Sequence, residues 1–264
     1  MPRLSVIIPT LNEERYLPKL LDSLGRQTFR DFEIIVADAR SLDRTRALAL
    51  DRGARVVPGG SPSIGRNAGA RAATGEVLLF LDADVVLPDT DFLRRTLVEF
   101  DRRKLDVATA LVTPLGERMI DRILHEFYNV YTVAVQKIFP HMPGFFIFVR
   151  RRVHEKIGGF DETLDFAEDH EYARRASKKG AFGFLRSARI HVSTRRLDRD
   201  GRLTIALKYL LGELYLMTRG RVPPGAMDYT FGYDKAVRRE SPIKILWKNG
   251  RSLWGKPPKF PPEA

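Results

Sequence analysis

Short runs of β-branched and aliphatic residues alternate with amphipathic stretches over residues 1–112, and this alternation constrains the chain more than any other feature. Strands that are each followed by a helix define a mostly parallel sheet covered by helices, an α/β architecture. The runs read as strands at Leu4–Ile8, Phe32–Ala37, Arg55–Val57, Val77–Leu81 and Val107–Val112, with helices predicted at Glu13–Leu24, Arg44–Arg52, Ile64–Ala73 and Phe92–Arg103. Runs as apolar as Val77–Leu81 belong to strands buried on both faces. Thr10 and Glu13 have capping-box spacing for the first helix, Asn12 is a competing N-cap, and Asp43 stands before the second.

Beyond Pro114 the pattern changes. A helical stretch is predicted over Glu117–Phe139, then a strand at Phe145–Arg150, a helix near Arg152–Ile157, a Gly158-Gly159 turn, a helix at Glu168–Lys179 and a short strand at Arg189–Val192. The window Phe127–Val149 holds one formal charge, Lys137, yet Pro140 and Pro143 break it, and Asn129, Gln136 and His141 would be stranded in lipid. Leu203–Met217 is apolar nearly all round but too short to span a bilayer; core burial is the preferred reading and a membrane-surface helix the other. Four parts follow: an α/β half at 1–112, a second half of the same domain at 113–200, a basic C-terminal helical region at 201–254, and a proline-rich flexible tail at 255–264.

Composition narrows the chemistry. The chain has no cysteine, which removes disulfide scaffolds, zinc ribbons, iron–sulfur clusters and thiol nucleophiles. Any metal must sit on oxygen or imidazole ligands, and oxygen favours Mg²⁺ or Mn²⁺. The formal net charge of +12 is uneven: residues 181–264 carry 17 Lys and Arg against 7 Asp and Glu, while the first 180 are nearly neutral. Such a region attracts nucleic acid, anionic lipid or phosphorylated substrates. The start of the chain lacks the pattern of a signal peptide. A cytoplasmic protein is expected, at most peripheral at the inner face of the membrane.

In an open parallel sheet, ligands bind beyond the carboxyl ends of the strands. There the chain places Pro9-Thr10-Leu11-Asn12-Glu13, Asp38-Ala39-Arg40-Ser41 and Asp82-Ala83-Asp84. No Gly-x-Gly-x-x-Gly follows the first strand, which argues against a nicotinamide enzyme. Asp82 and Asp84 end a wholly apolar strand, where paired carboxylates repel one another unless a cation joins them. Either they cap the turn into Pro88 or both reach one divalent ion, leaving its other positions to water and diphosphate oxygens. On a helix, Asp169 shares a face with Tyr172, Ala173 and Ala176, so Asp169 is expected to point inward and Glu168 toward a polar environment. His191 is either structural or a third metal ligand, and Arg195 and Arg196 have the chemistry to clamp a phosphate.

Taken in order, Pro9-Thr10-Leu11-Asn12-Glu13, Asp38 with Ser41-x-Asp43-x-Thr45, Arg66-Asn67-x-Gly69, Gly75-Glu76 and Asp82-Ala83-Asp84 resemble the nucleotide-sugar half of family 2 glycosyltransferases, which have the GT-A fold; the resemblance continues through Gly144–Gly180. One departure is visible, since the family often has a second Asp and a Gly where this chain has Ala39 and Arg40. The resemblance implies a nucleotide-diphosphate sugar donor of UDP or GDP type bound by the half at 1–112, and inverting transfer to an acceptor hydroxyl held by the acceptor-binding and catalytic half at 113–200. By the same likeness Asp38 would recognise the nucleobase, Pro9, Thr10 and Glu13 would line the nucleoside pocket, and Arg66 would meet the base or diphosphate. Asp82 would face the donor sugar or ribose, Asp84 would be the principal metal ligand, and the pair Glu168-Asp169 would supply the base, with Asp169 taking the proton.

The aromatic stretch Phe127–Phe148 and the helix Leu203–Met217, flanked by Arg202, Lys208, Arg219 and Arg221, suggest a sugar or lipid-linked acceptor and peripheral membrane contact. Two rivals remain. A nucleotidyltransferase making sugar nucleotides usually has a glycine-rich phosphate loop after its first strand, which Pro9–Glu13 is not. A non-enzymatic module binding nucleic acid or anionic membrane would leave Asp82, Asp84 and Asp169 idle, and makes nucleic acid the weaker partner.

Overall fold

The computed structural model describes residues 1–164, 166–219 and 222. The tail at 255–264 and most of the C-terminal region, Arg221 included, lie outside the described residues.

The first half winds as expected: β1 (Leu4–Thr10), α1 (Leu17–Gly25), β2 (Phe32–Asp38), α2 (Thr45–Asp51), β3 (Arg55–Pro58), α3 (Pro62–Ala72) and β4 (Val77–Leu81). There follow β5 (Val85–Val86), α4 (Phe92–Arg102), β6 (Val107–Pro114), α5 (Met119–Val135), β7 (Phe146–Arg150), α6 (Arg151–Lys156), α7 (Glu168–Ser177), β8 (Phe182–Val192), α8 (Arg195–Asp200) and α9 (Arg202–Arg219). The strands form one sheet in the order β3-β2-β1-β4-β7-β6-β8-β5. Pairings from β3 to β4 and between β6 and β8 are parallel; β7 runs antiparallel to both its neighbours, and β5 to β8.

Both faces of the central strands are buried. Leu4, Val6 and Ile8 of β1 join Leu79, Phe92, Phe100, Phe146 and Phe148 on one side, while Ile7, Phe80, Ile147 and Tyr172 pack on the other. Each such side chain contributes about 1.5–3 kcal/mol relative to exposure. Close approach of α3 to β1 requires Gly69, because a Cβ there would lie 2.3 Å from Ile7 Cγ2.

Three local expectations need correction. Thr10 and Glu13 are not a capping box: Thr10 ends β1, and α1 starts only at Leu17 with Pro18 in its first turn. Asn12 sits between them at φ 55°, its Oδ1 accepting from the Leu42 N–H, a left-handed position that Asn tolerates. The last strand is far longer than Arg189–Val192, because a bulge in β8, opposite Ala110 and Leu111 of β6, lets pairing resume past the exposed Arg186 and Ser187. Leu203–Met217 is neither all core nor all surface, with Leu211, Tyr215 and Leu216 buried and Leu203, Leu210 and Met217 exposed. No helix among the described residues is long and apolar enough to cross a membrane.

Candidate active site

Strand order reverses at β1, which lies between β2 and β4. The carboxyl ends of β1 and β4 therefore flank a switch point, the usual position of a ligand crevice. On the β4 side, pairing of β1 ends at Ile7, two residues before Pro9, which has no N–H to continue it. The strands part there, and the Pro9–Glu13 and Asp82–Asp84 segments face the gap.

Ladder register decides what else arrives. Leu81 of β4 stands opposite Phe146 of β7, which sets Gly144 beside the Asp82–Asp84 turn. Val85 of β5 stands opposite Val192 of β8, so the Ser193 N–H donates to the Asp84 carbonyl at 3.1 Å. Two residues on, Arg195 reaches back over the site. Its Nε donates to Asp84 Oδ2 at 2.8 Å, its two terminal nitrogens donate to the two Glu13 oxygens at 2.7 Å each, and its guanidinium lies 4.3 Å from the Tyr16 ring centroid.

Arg66 is the second hub. Its Nη1 donates to Glu168 Oε1 at 2.8 Å and its Nη2 to Asp82 Oδ1 at 2.9 Å and to the Gly144 carbonyl at 3.3 Å. The guanidinium is almost wholly buried, and its Nε has no hydrogen-bond partner. Burial opposes its charge, but Asp82, Glu168 and Asp169 outweigh burial and hold its pKa above the ordinary value. Asn67, next along α3, clamps the Phe160 backbone through both amide atoms and so ties α3 to the loop before α7.

Glu168 and Asp169 open α7, directly after Ala167 at φ 58°. Their orientation differs from the helical-face expectation. Glu168 is the more enclosed, with 11% of its side chain exposed against 18% for Asp169. The cause is Arg66, a buried cation that draws Glu168 inward as its counter-ion. Asp169 instead accepts the Gly144 N–H at 2.7 Å and the His170 N–H at 2.8 Å. Gly144 permits this: a Cβ there would lie 2.5 Å from Arg66 Nη2 and 3.3 Å from Asp169 Oδ2.

The carboxylates are crowded. Burial, reinforced by Asp84 and Asp82, pushes Glu13 up to about 7 even though Arg195 opposes the shift. Asp84 is raised by burial and by Asp82, against Arg195 and Arg196. Glu168 is raised by burial and by Asp169, against Arg66. On the neighbouring strand end, Asp38 accepts from Thr10 Oγ1 at 3.2 Å, Ser41 Oγ at 2.6 Å and the Ser41 N–H at 3.1 Å. Pro9 packs under α3 at Gly65, where an added Cβ would lie 3.0 Å from Pro9 Cβ.

The donor chemistry fits a hard divalent cation. Asp82 and Asp84 offer carboxylate oxygens, and burial together with the neighbouring carboxylates raises the pKa of Asp84 and Glu13, a cost that a cation relieves. Magnesium-like ions commonly take one or two carboxylates and complete their shell with phosphate and water. Among the described residues no three His, Asp or Glu side chains gather around one point. His191 therefore does not complete a set with Asp82 and Asp84. It lies opposite Val86 in the β5/β8 ladder, on the other face of β8 from the core residues Ile190 and Val192, and burial lowers its pKa.

Pro9, Thr10, Glu13, Asp38, Arg66, Asp82, Asp84, Glu168, Asp169 and Arg195 thus stand on one edge of the sheet, with Arg196 near enough to Asp84 to act on its charge. Sequence reasoning missed Tyr16, which stacks on Arg195, and the Gly144 N–H that holds Asp169. Tyr16 carries a weak signal, an aromatic residue in the acidic loop after β1; the role of Gly144 depends wholly on the antiparallel register of β7.

This sheet order, with carboxylates gathered at its switch point, is that of a GT-A transferase. The chain belongs to glycosyltransferase family 2: the Glycosyl transferase family 2 profile matches residues 5–158. A PGL/p-HBAD biosynthesis glycosyltransferase of Mycobacterium bovis (strain BCG / Pasteur 1173P2) is 41% identical over 102 residues, 36% of this chain and 40% of that protein. The poly(ribitol-phosphate) beta-N-acetylglucosaminyltransferase TarS of Staphylococcus aureus (strain Mu50 / ATCC 700699) is 37% identical over 187 residues, 67% of this chain and 32% of TarS. The matches thus span well under half the length of these curated relatives. Among solved structures, the mannosyltransferase PcManGT of Pyrobaculum calidifontis with GDP-Man and Mn²⁺ superposes with a TM-score of 0.68 at 20% identity, over 96% of this chain and 71% of that one. Glucosyl-3-phosphoglycerate synthase of Mycobacterium tuberculosis with Mn²⁺, UDP-Glc and phosphoglyceric acid gives 0.58 at 17% identity, over 93% and 91%. At these identities the likeness is one of fold.

Proposed function

We propose that this protein transfers a sugar from a nucleoside-diphosphate sugar to an acceptor hydroxyl with inversion, Asp169 acting as the general base. The observation that carries the reading is the Arg66 bridge. One guanidinium holds Asp82, of the β4 turn, at 2.9 Å and Glu168, beside Asp169, at 2.8 Å. One side chain thereby ties the donor-side carboxylate to the carboxylate beside the proposed base.

In this reading the gap at Pro9 receives the nucleoside, with Asp38 toward the base and Asp82 toward ribose or sugar. Asp169 Oδ accepts the acceptor proton as the new bond forms at the anomeric carbon and the nucleoside diphosphate departs with the electron pair. Its hydrogen bond from Gly144 orients that carboxylate. Arg195 and Arg196 supply positive charge to the departing diphosphate. A Mg²⁺ or Mn²⁺ held by Asp84 with Asp82 would supply Lewis-acid stabilisation of the diphosphate. UDP and GDP donors both suit the site; they are the donor types bound in the structural relatives. A lipid-linked acceptor is the preferred class, supported by the apolar helices α5 and α9 next to Asp169.

Calorimetric titration of UDP, GDP and their sugars, with and without Mn²⁺, tests the reading. At least one sugar nucleotide should bind in the micromolar range with Mn²⁺, and Asp84→Asn should weaken it. Binding no tighter than about 1 mM for all of them, roughly −4 kcal/mol, would contradict it.

A further inference from the structure

Among the described residues, two helices leave apolar side chains exposed. α5 and α9 lie together and run in the same direction: Asp121 in the first turn of α5 accepts from Arg202 at the start of α9 at 2.6 and 2.7 Å. Farther along, the Tyr131 ring lies 5.5 Å from His141, whose Nε2 meets Glu213 Oε1 at 2.5 Å. At about 100° per residue, Ile123, Phe127 and Val130 form a stripe about 120–180° round α5 from Asp121 and about 40–100° from Tyr131. Leu203, Leu210 and Met217 form a second stripe, offset in the opposite angular sense from the Arg202–Glu213 side of α9. All six are exposed, Phe127 at 71% and Leu210 at 67%. In parallel neighbours, opposite offsets turn both stripes toward one side of the pair.

We propose that this face docks on an anionic membrane surface. Charge selects that occupant. Arg118 and Arg122 are exposed at the start of α5 and Lys137 just past its end. Of the acidic side chains alongside, Asp121 is paired with Arg202, Glu126 with Arg189 and Asp198 with Arg118 and Arg202; Glu117 is exposed. The region after residue 180 carries ten more cations than anions. A second copy of this face would bring the same Arg118 and Arg122 to the interface and add like charge there, whereas lipid phosphates complement them. An apolar stripe bordered by cations on helices that cannot cross a bilayer is the pattern of a surface-lying element.

The face also has a place in the chemistry. His141, held by Glu213, lies 5.0 Å ring to ring from His170, the neighbour of Asp169. Docking therefore sets the proposed base one helix layer above the lipid headgroups, where an acceptor anchored by an apolar tail presents its hydroxyl. This step deepens the acceptor reading above and rests on it; docking itself does not depend on the donor.

Flotation of the full chain with phosphatidylcholine vesicles, and with vesicles of equal parts phosphatidylcholine and phosphatidylglycerol, tests the proposal. Partition into the anionic vesicles should exceed that into the neutral ones by about tenfold or more, and Phe127→Asp with Leu210→Asp should lower it by about tenfold or more. Both positions are exposed, so the melting temperature should hold. Arg122→Glu with Lys137→Glu provides a second variant that should lose the anionic preference alone. No partition, equal partition into both vesicles, an unaffected Phe127→Asp/Leu210→Asp variant, or a dimer in solution that this variant splits would each overturn it. Donor titration separates the two claims: the apolar variant should bind sugar nucleotide as the wild type does, while Asp84→Asn should bind it more weakly and still float.

Discussion

Arg195 and Glu13, far apart in sequence, meet through two parallel N–H···O contacts of 2.7 Å, and the same guanidinium holds Asp84 at 2.8 Å. In this arrangement Arg195 does for Asp84 what a divalent cation would do, so the two compete for one carboxylate. Arg195→Ala should lower the stability of the ligand-free protein by about 3 kcal/mol, the usual cost of stranding buried carboxylates. Saturating Mn²⁺ should then stabilise the variant more than the wild type. Thermal melts of both proteins with and without Mn²⁺ check this; equal shifts would contradict the competition.

Glu13 gives stability a pH dependence of defined sign. Its pKa is about 7 in the folded protein, through burial and the neighbouring Asp84 and Asp82, against 4.5 for an ordinary Glu. Between those values the folded state binds the extra proton, so this contribution is fully present below 4.5 and is lost as pH rises to about 7. Glu13→Gln should flatten that part of the stability profile, measured by denaturant unfolding at a series of pH values.

Removing the Arg66 hub should be costly in a way no smaller cation repairs. Arg66→Met leaves Glu168 buried without its counter-ion, for about 3–5 kcal/mol. Arg66→Lys should recover little of this, because a point charge cannot reach Asp82, Glu168 and the Gly144 carbonyl together. Urea midpoints of the two variants decide it; a lysine variant as stable as wild type would show that geometry is not what Arg66 supplies.

Arg40 stands at φ 61°, a conformation that L residues adopt at a cost. Arg40→Gly should raise stability by about 0.5–1 kcal/mol, read as a higher unfolding midpoint. The position where the family often has glycine thus still has the backbone that glycine suits.

Much of this molecule is written in local chemistry. The strands Leu4–Thr10 and Val77–Leu81 are visible because continuous aliphatic runs have few other fates, and the polar residues at their ends mark the ligand edge. Long-range partners are not visible. Nothing local pairs Val85 with Val192, yet that register delivers Arg195 to Asp84. Nor does helical periodicity show that Glu168 turns inward, because the cation that draws it, Arg66, lies 102 positions away. Thr10 and Glu13 mislead for a related reason: spacing suited to a helix cap serves instead to turn a strand end into a loop that meets Asp38 and Arg195.

Sugar-nucleotide affinity and turnover in Asp169→Asn test the role of Asp169 as the general base most directly. The substitution keeps an acceptor for the Gly144 N–H but cannot take up a proton. Donor affinity should stay within about twofold of wild type while turnover falls by about 10²–10⁴. Retained turnover would place the base elsewhere, and loss of donor binding would show that Asp169 serves the donor rather than the acceptor hydroxyl.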